Sequence, residues 1–333
     1  MPPVQHIADN MHLYTCNDID SSIIDAAAHW ELRVNKIRRD ISVAGSPERC
    51  EFRFVIECSD DRLYVLESVT GSDIDQKTRI ISVLDFLSRK EMPGINPHLR
   101  TKHNVGIVQS DSRFWRMAPF VHGIPLNRSE YLFEAWRGPA MARFLIALGD
   151  KSEGISEVIP ISRFSITDYI HHLVMQIKKH DPEVLDRITP VIQFLEKRFM
   201  KIHDRLPAGF CHGDFHPLNI IWSQDAIQAV IDWEFLGIKP EAYDAANLVG
   251  CISSENPHGL LGDLVTGFIC HLKAAGIMSD ITWEMFVELV IAIRFAWLSE
   301  WLRHKDQDMI AQESIYMKLL MNNDTMLKTA WGI

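Results

Sequence analysis

The chain has 333 residues, 34 basic and 44 acidic side chains, a formal charge of −10 and 47% hydrophobic residues. That balance excludes a disordered chain, a collagen-like chain and a disulfide miniprotein, and the length suggests two domains or one two-lobed unit. The acidic excess argues against non-specific nucleic-acid binding and against an anionic membrane surface, both of which call for clustered Lys and Arg.

In chain order, residues 19–40 read as a helix, followed by a turn-rich break over 41–47. Two β-rich runs, 52–58 and 63–69, flank the polar tetrad 59–62, which predicts a hairpin. Residues 73–90 carry apolar side chains at 80, 81, 84 and 87, a helical stripe. Segment 91–100 reads as loop, and 105–109 and 114–121 as two more strands. After Gly123 the pattern turns helical: 129–149, 165–178, 184–204, 258–275, 282–304 and 308–321. The exception is 207–238, where short apolar runs at 219–222 and 229–233 are punctuated by Gly, Pro and Asp. The late apolar stretch is interrupted by Glu288 and Arg294, so it reads as a buried helix rather than a membrane span. The six cysteines (16, 50, 58, 211, 251 and 270) form no CxxC pair and read as reduced thiols. With no basic-then-apolar leader pattern at the start, the expectation is a cytoplasmic protein.

The densest polar cluster among apolar residues is 210–222, with His212, Asp214, His216 and Asn219. Asp214 and Asn219 are five apart across a proline-containing loop, which can turn both side chains toward one cavity. Asp232 follows a short apolar run and stands at its end. An amide carbonyl and a carboxylate make a hard-oxygen set suited to Mg²⁺, which fills its remaining positions with water and phosphate oxygens. Asp214 is then left to accept a proton from a hydroxyl.

His212-Gly213-Asp214 with Asn219, followed by Ile231-Asp232-Trp233-Glu234, resembles the aminoglycoside phosphotransferase and choline kinase family of protein-kinase-like small-molecule kinases. The resemblance covers roughly 40–320. It implies an α+β, bilobal protein-kinase-like fold, with a small antiparallel-sheet N-lobe over 1–121 and a larger, mainly helical C-lobe over 122–333. It implies ATP or another nucleoside triphosphate with Mg²⁺, and a small hydroxylated metabolite or antibiotic as acceptor. By position, Asp214 would be the base that orients the hydroxyl, while Asn219 and Asp232 would hold the metal. His212 and His216 would belong to the catalytic group, His212 by shaping the loop and His216 by lying near the transferred phosphate or bracing the loop. The Pro119 carbonyl and the Val121 N–H, on the crossing with Phe120, would meet adenine. Gly45 and Ser46 would touch a phosphate, and Val65 and Glu67 would face the nucleotide.

Position 67 departs from the family pattern, in which a lysine on the third strand reaches the phosphates. Glu67 cannot do that work, so a swapped pair with Lys77 or Arg79 of the 73–90 helix is expected, or phosphates held mainly by Mg²⁺ and backbone. Asp244 suits helix capping or loop bracing. Arg294, Trp297, Glu300 and Trp301 share one face of a late helix, as core or as acceptor contacts. Two other readings compete: a catalytically weak relative that binds nucleotide or a partner protein, and a metallohydrolase using His212, Asp214 and His216.

Overall fold

The computed structural model describes residues 16–43, 52–128 and 130–333. Gly45 and Ser46 lie outside the described residues. The chain divides into two compact units, one of residues up to Ser88 with Asn96–His122, the other of Arg89–Ile95 with Gly123–Ile333.

The first unit holds α1 (Cys16–Ala28), β1 (Val34–Ile37), β2 (Arg53–Cys58), β3 (Leu63–Val69), α2 (Ile74–Arg89), β4 (Val108–Ser110) and β5 (Arg113–Pro119). Its five strands form one sheet in the order β1-β2-β3-β5-β4, every neighbouring pair antiparallel. The helix expected over 19–40 stops at Ala28. Glu31 takes a left-handed backbone, φ 61°, and Val34–Ile37 then pairs with β2. Edge pairing and burial of Val34 and Ile37 against the core outweigh local helix propensity there.

Alternation along the strands divides the sheet's two faces. Ile56, Cys58, Tyr64, Leu66, Trp115 and Met117 form one core with Ile23, Ala26 and Ala27 of α1. The intervening positions therefore share the opposite face. In register across β2, β3 and β5 they make two rows, Val55–Val65–Ala118 and Arg53–Glu67–Arg116.

The second unit holds α3 (Arg137–Lys151), α4 (Ile155–Val158), α5 (Ile166–His180), α6 (Pro182–Lys197), α7 (Phe199–Ile202), β6 (Ala208–Cys211), β7 (Ile220–Trp222), β8 (Ile227–Val230) and β9 (Gly237–Pro240). Then follow α8 (Tyr243–Glu255), α9 (Asp263–Ala275), α10 (Asp280–Glu284), α11 (Phe286–His304), α12 (Gln307–Asn322) and α13 (Asp324–Trp331). Small antiparallel sheet followed by a mainly helical remainder is the expected α+β, kinase-like architecture. Helix α11 is buried nearly all round, and its two interior charges are matched. Arg294 makes a two-pronged bond to Glu313, both contacts 2.6 Å, and Glu288 pairs with Lys328 at 2.9 Å. Among the described residues no helix is long and apolar enough to cross a membrane.

Candidate active site

Two ribbons in the second unit carry the loops of interest. Strand β6 pairs with β9, and β7 pairs with β8. Residues 212–219 link β6 to β7, and 231–236 link β8 to β9, so both loops leave the same pair of ribbons. Ile231 stitches them together: its N–H donates to the Asn219 carbonyl at 2.9 Å, and His212 Nε2 donates to the Ile231 carbonyl at 3.0 Å.

That bond fixes the His212 tautomer. With Nε2–H donating, Nδ1 is the acceptor, and it takes the Asp214 N–H at 3.1 Å. The ring is fully buried, against Trp233 at 4.5 Å between centroids, and burial pushes its pKa down to about 4. A neutral imidazole with both nitrogens engaged braces the loop. With both ring nitrogens engaged within the loop region, His212 has no lone pair left for a metal ion, which counts against the metallohydrolase reading. Among the described residues no three His, Cys, Asp or Glu side chains are grouped to hold a metal.

Asn219 Nδ2 donates twice to Asp214, to its carbonyl at 2.9 Å and to carboxylate Oδ2 at 3.1 Å. Spending the amino group on Asp214 turns the amide oxygen Oδ1 away from it. Asp232 sits at a left-handed backbone position, φ 68°, at the start of the short helix Trp233–Phe235. For a non-glycine residue that conformation is uncommon, and it re-aims the side chain where the strand ends. The donors thus comprise an amide oxygen and a carboxylate, both hard, which fits Mg²⁺. His216 Nε2 stands 3.6 Å from Asp214 Oδ1, and its ring lies 6.3 Å from that of Trp297 on α11. Trp297 in turn lies 6.1 Å from Trp301, while Glu300 is engaged by Arg303 and His304.

The loop backbone is held from outside by α8. Asp244, in its first turn, accepts the His212 N–H at 2.7 Å and the Gly213 N–H at 2.8 Å, one on each carboxylate oxygen. Of capping and bracing, Asp244 does the second. Burial raises its carboxyl to about 6, with the two N–H bonds opposing. The folded state therefore holds a proton between the ordinary 3.8 and about 6 that the unfolded chain has released, and stability falls as pH rises through that window. Asp244→Asn leaves only one acceptor for two N–H donors, so we expect a loss of about 1–3 kcal/mol. Urea denaturation at pH 4 to 7 should show the gap between wild type and Asp244→Asn narrowing as pH rises from 4 to 6. A widening gap would mean that the two N–H bonds outweigh burial.

Lys239 was not singled out by the sequence reading. It is 5% exposed, and its ammonium lies 4.3 Å from the ring centres of both Phe164 and Tyr243. Burial lowers its pKa, with Asp244 and Asp214 among the charges that support the cation. The only signal in the sequence is a lysine inside the short run Gly237–Pro240.

In the first unit, Glu67 shares its carboxylate between two strands. Arg116 Nε donates to Oε2 at 2.7 Å, and Arg53 pairs with Oε1. Burial alone would raise the Glu67 carboxyl, but Arg116, Arg53, His98 and Lys77 bring it down to about 2. The cations in direct contact thus come from the sheet, whereas the sequence reading looked to the helix. Of its two candidates there, Lys77 is buried and acts on Glu67, and Arg79 is not among the charges that do. A four-residue turn at 59–62 would pair position 53 with 68, whereas the observed register pairs Arg53 with Glu67, so this contact is not readable from the turn length. Val65 shares the Glu67 face. The Pro119 carbonyl accepts from Asn96 Nδ2 at 2.9 Å, which leaves its second lone pair for another donor. Phe120 N–H is bound to the Leu63 carbonyl, while Val121 is half-buried.

A family model described as the phosphotransferase enzyme family matches residues 53–276, more than half of the chain. By sequence, no curated protein matches. By structure, the chain is similar to an aminoglycoside phosphotransferase from Alicyclobacillus acidocaldarius subsp. acidocaldarius DSM 446, at 14% identity and a TM-score of 0.63, covering 91% of this chain and 96% of that one. It is also similar to amicoumacin kinase hAmiN in complex with AMP-PNP, Ca2+ and Ami (12% identity, TM-score 0.64, 93% of this chain and 96% of that one). A third similar structure is the GDP complex of wild-type aminoglycoside 2'-phosphotransferase-IIIa (16% identity, TM-score 0.64, 92% of this chain and 99% of that one). At these identities the likeness establishes the fold.

Proposed function

The chain belongs to the phosphotransferase enzyme family, and from that premise we propose that it is an ATP- and Mg²⁺-dependent cytoplasmic kinase that moves the γ-phosphate to a hydroxyl of a small molecule. The acceptor class is an amino alcohol, amino acid alcohol, sugar or aminoglycoside. One observation carries the reading: Asn219 is tethered through Nδ2 to both the carbonyl and the carboxylate of Asp214, on a loop that Ile231 ties to the segment carrying Asp232. The nucleotides and antibiotics named with similar structures support the same reading.

In this assignment Asn219 Oδ1 and the Asp232 carboxylate hold Mg²⁺, which when bound neutralises phosphate charge. The protein's own part is positioning, since phosphoryl transfer through a loose transition state needs little covalent help. Asp214 receives the acceptor's hydroxyl hydrogen bond on its carboxylate and takes the proton as transfer proceeds. His212 and Asp244 keep the loop from relaxing. His216, beside Asp214 Oδ1, is assigned a place near the transferred phosphate, and the Pro119 carbonyl and Val121 N–H are assigned to adenine.

A transfer-incompetent binder is the alternative, favoured by Glu67 at the strand position where relatives carry lysine. Coupled-assay screening of amino alcohols, sugars and aminoglycosides with Mg-ATP separates the two. Turnover abolished by Asp214→Ala supports the kinase, and nucleotide binding without turnover on any acceptor supports the binder. The metal assignment has its own test. Mg-ATP should raise the melting temperature of wild type and do so much less in Asp232→Ala, because a ligand stabilises by its affinity for the folded state alone. Equal shifts would remove Asp232 from the metal site.

A further inference from the structure

Lys239 on β9 makes no hydrogen bond and no ion pair among the described residues, although it is only 5% exposed. Its ammonium rests instead on Phe164, just ahead of α5, and on Tyr243, in the first turn of α8. Its stem runs along the catalytic loop: a Cβ built on Gly213 would stand 3.0 Å from Lys239 Cε. Three N–H donors without an acceptor in so closed a place are costly, and two aromatic faces offset only part of that cost. An apolar side chain would fill the same slot without it. The cation therefore calls for an electrostatic account.

The groups around it supply one. Lys239 lies on Tyr243, and the next residue of α8 is Asp244, whose two oxygens accept the His212 and Gly213 N–H groups at 2.7 and 2.8 Å. An ionised carboxylate offers a full acceptor on each oxygen, whereas a protonated one replaces one of them with a hydroxyl, a poorer acceptor. Burial works against the ionised form, as does the charge of Asp214; the two N–H bonds and then Lys239 work for it. Of the other titratable groups facing Asp244, burial keeps Cys211 of β6 and Tyr243 of its own helix neutral, and it does the same for His212 of the loop. Among these groups only Lys239 is a cation.

We propose that Lys239 is a positioning residue for the catalytic loop: its ammonium, held on Phe164 and Tyr243, keeps the Asp244 carboxylate ionised, and the ionised Asp244 fixes the His212–Gly213 backbone that aims Asp214. Its effect on turnover rests on the kinase reading above; its effect on Asp244 does not.

Carboxyl ¹³C NMR of the full-length protein, labelled at aspartate and with Asp244→Asn to assign the signal, reads the Asp244 titration directly. Lys239→Met keeps a flexible stem that packs on the same two rings. It should raise the Asp244 midpoint by about one pH unit, as expected when one nearby opposite charge is removed. Lys239→Gln repeats the measurement with a different neutral side chain, so the result does not depend on how one variant folds. Lys201→Met, at an exposed lysine on α7, removes the same charge and should leave the midpoint in place. In transfer to the acceptor found by screening, Lys239→Met should lower kcat about fivefold at pH 6 and less than about twofold at pH 8, with KM for ATP unchanged. In an Asp244→Asn background it should have no pH-dependent effect. An Asp244 midpoint unmoved by both neutral variants overturns the proposal, as does a kcat loss that is the same at every pH, the mark of a merely structural lysine. A pH-dependent loss that persists in Asp244→Asn also overturns it, because the lysine would then act on the reaction without Asp244. If no acceptor is found, the kinase reading fails, and the Asp244 midpoint alone decides whether Lys239 holds that carboxylate ionised.

Discussion

Asp214→Asn should lower kcat by about two to four orders of magnitude, the usual worth of a general base, with nucleotide affinity nearly unchanged. The substitution is close to isosteric, and its amide oxygen can still accept the bond from Asn219 Nδ2 that Asp214 Oδ2 accepts at 3.1 Å. The loop should therefore survive, since His212, Ile231 and Asp244 hold it through atoms that the change leaves alone. What disappears is the charge that orients a neutral hydroxyl and receives its proton. An alcohol is a poor nucleophile at neutral pH, so this loss falls on the transfer step rather than on binding. Single-turnover transfer to the acceptor found by screening, with ATP binding measured separately, checks the split. Transfer at near wild-type rate would take the base role away from Asp214.

The catalytic loop was legible because its chemistry is local. Eight residues, 212–219, contain the bracing histidine, the base candidate and the amide, and the spacing alone predicts that Asp214 and Asn219 converge. What holds that loop in place is not local. Asp244 reaches it from 31 and 32 residues away, and Lys239 sits against two aromatic rings, one of them Phe164, from a separate part of the chain. The ionisation of His212 was equally hidden, since a motif gives no burial. In the first unit, alternation placed Val65 and Glu67 on one face. Which cations meet Glu67 depends on strand register across β2, β3 and β5, and the β5 partner Arg116 is 49 residues away. The stretch after Ala28 illustrates the same limit. Val34–Ile37 becomes a strand because β2 offers it an edge, a fact stored in the partner rather than in the segment.

Gly213→Ala should abolish transfer and destabilise the second unit by about 3 kcal/mol or more, at the upper end of single substitutions. Two effects coincide at this position. The backbone is left-handed, φ 88°, a conformation that costs an L-residue roughly 1–2 kcal/mol. Separately, a Cβ there would lie 1.9 Å from the Phe235 carbonyl oxygen and 2.6 Å from its carbon. That neighbour is backbone, in the short helix that follows Asp232, so no side-chain rotation relieves the clash. Either the 212–219 loop or the 231–236 loop has to move. The first movement breaks the Gly213 N–H bond to Asp244 at 2.8 Å, and the second shifts Asp232. Gly154→Ala separates the two effects. Its φ is 78°, but the nearest atom to an added Cβ is a flexible carboxylate oxygen at 3.9 Å, so only the conformational penalty of about 1–2 kcal/mol applies, with transfer retained. Chemical denaturation of both variants, with activity on the same preparations, makes the comparison. Should Gly213→Ala prove no less stable than Gly154→Ala and keep its turnover, the packing of the two loops against each other would not be what holds Asp214 in place.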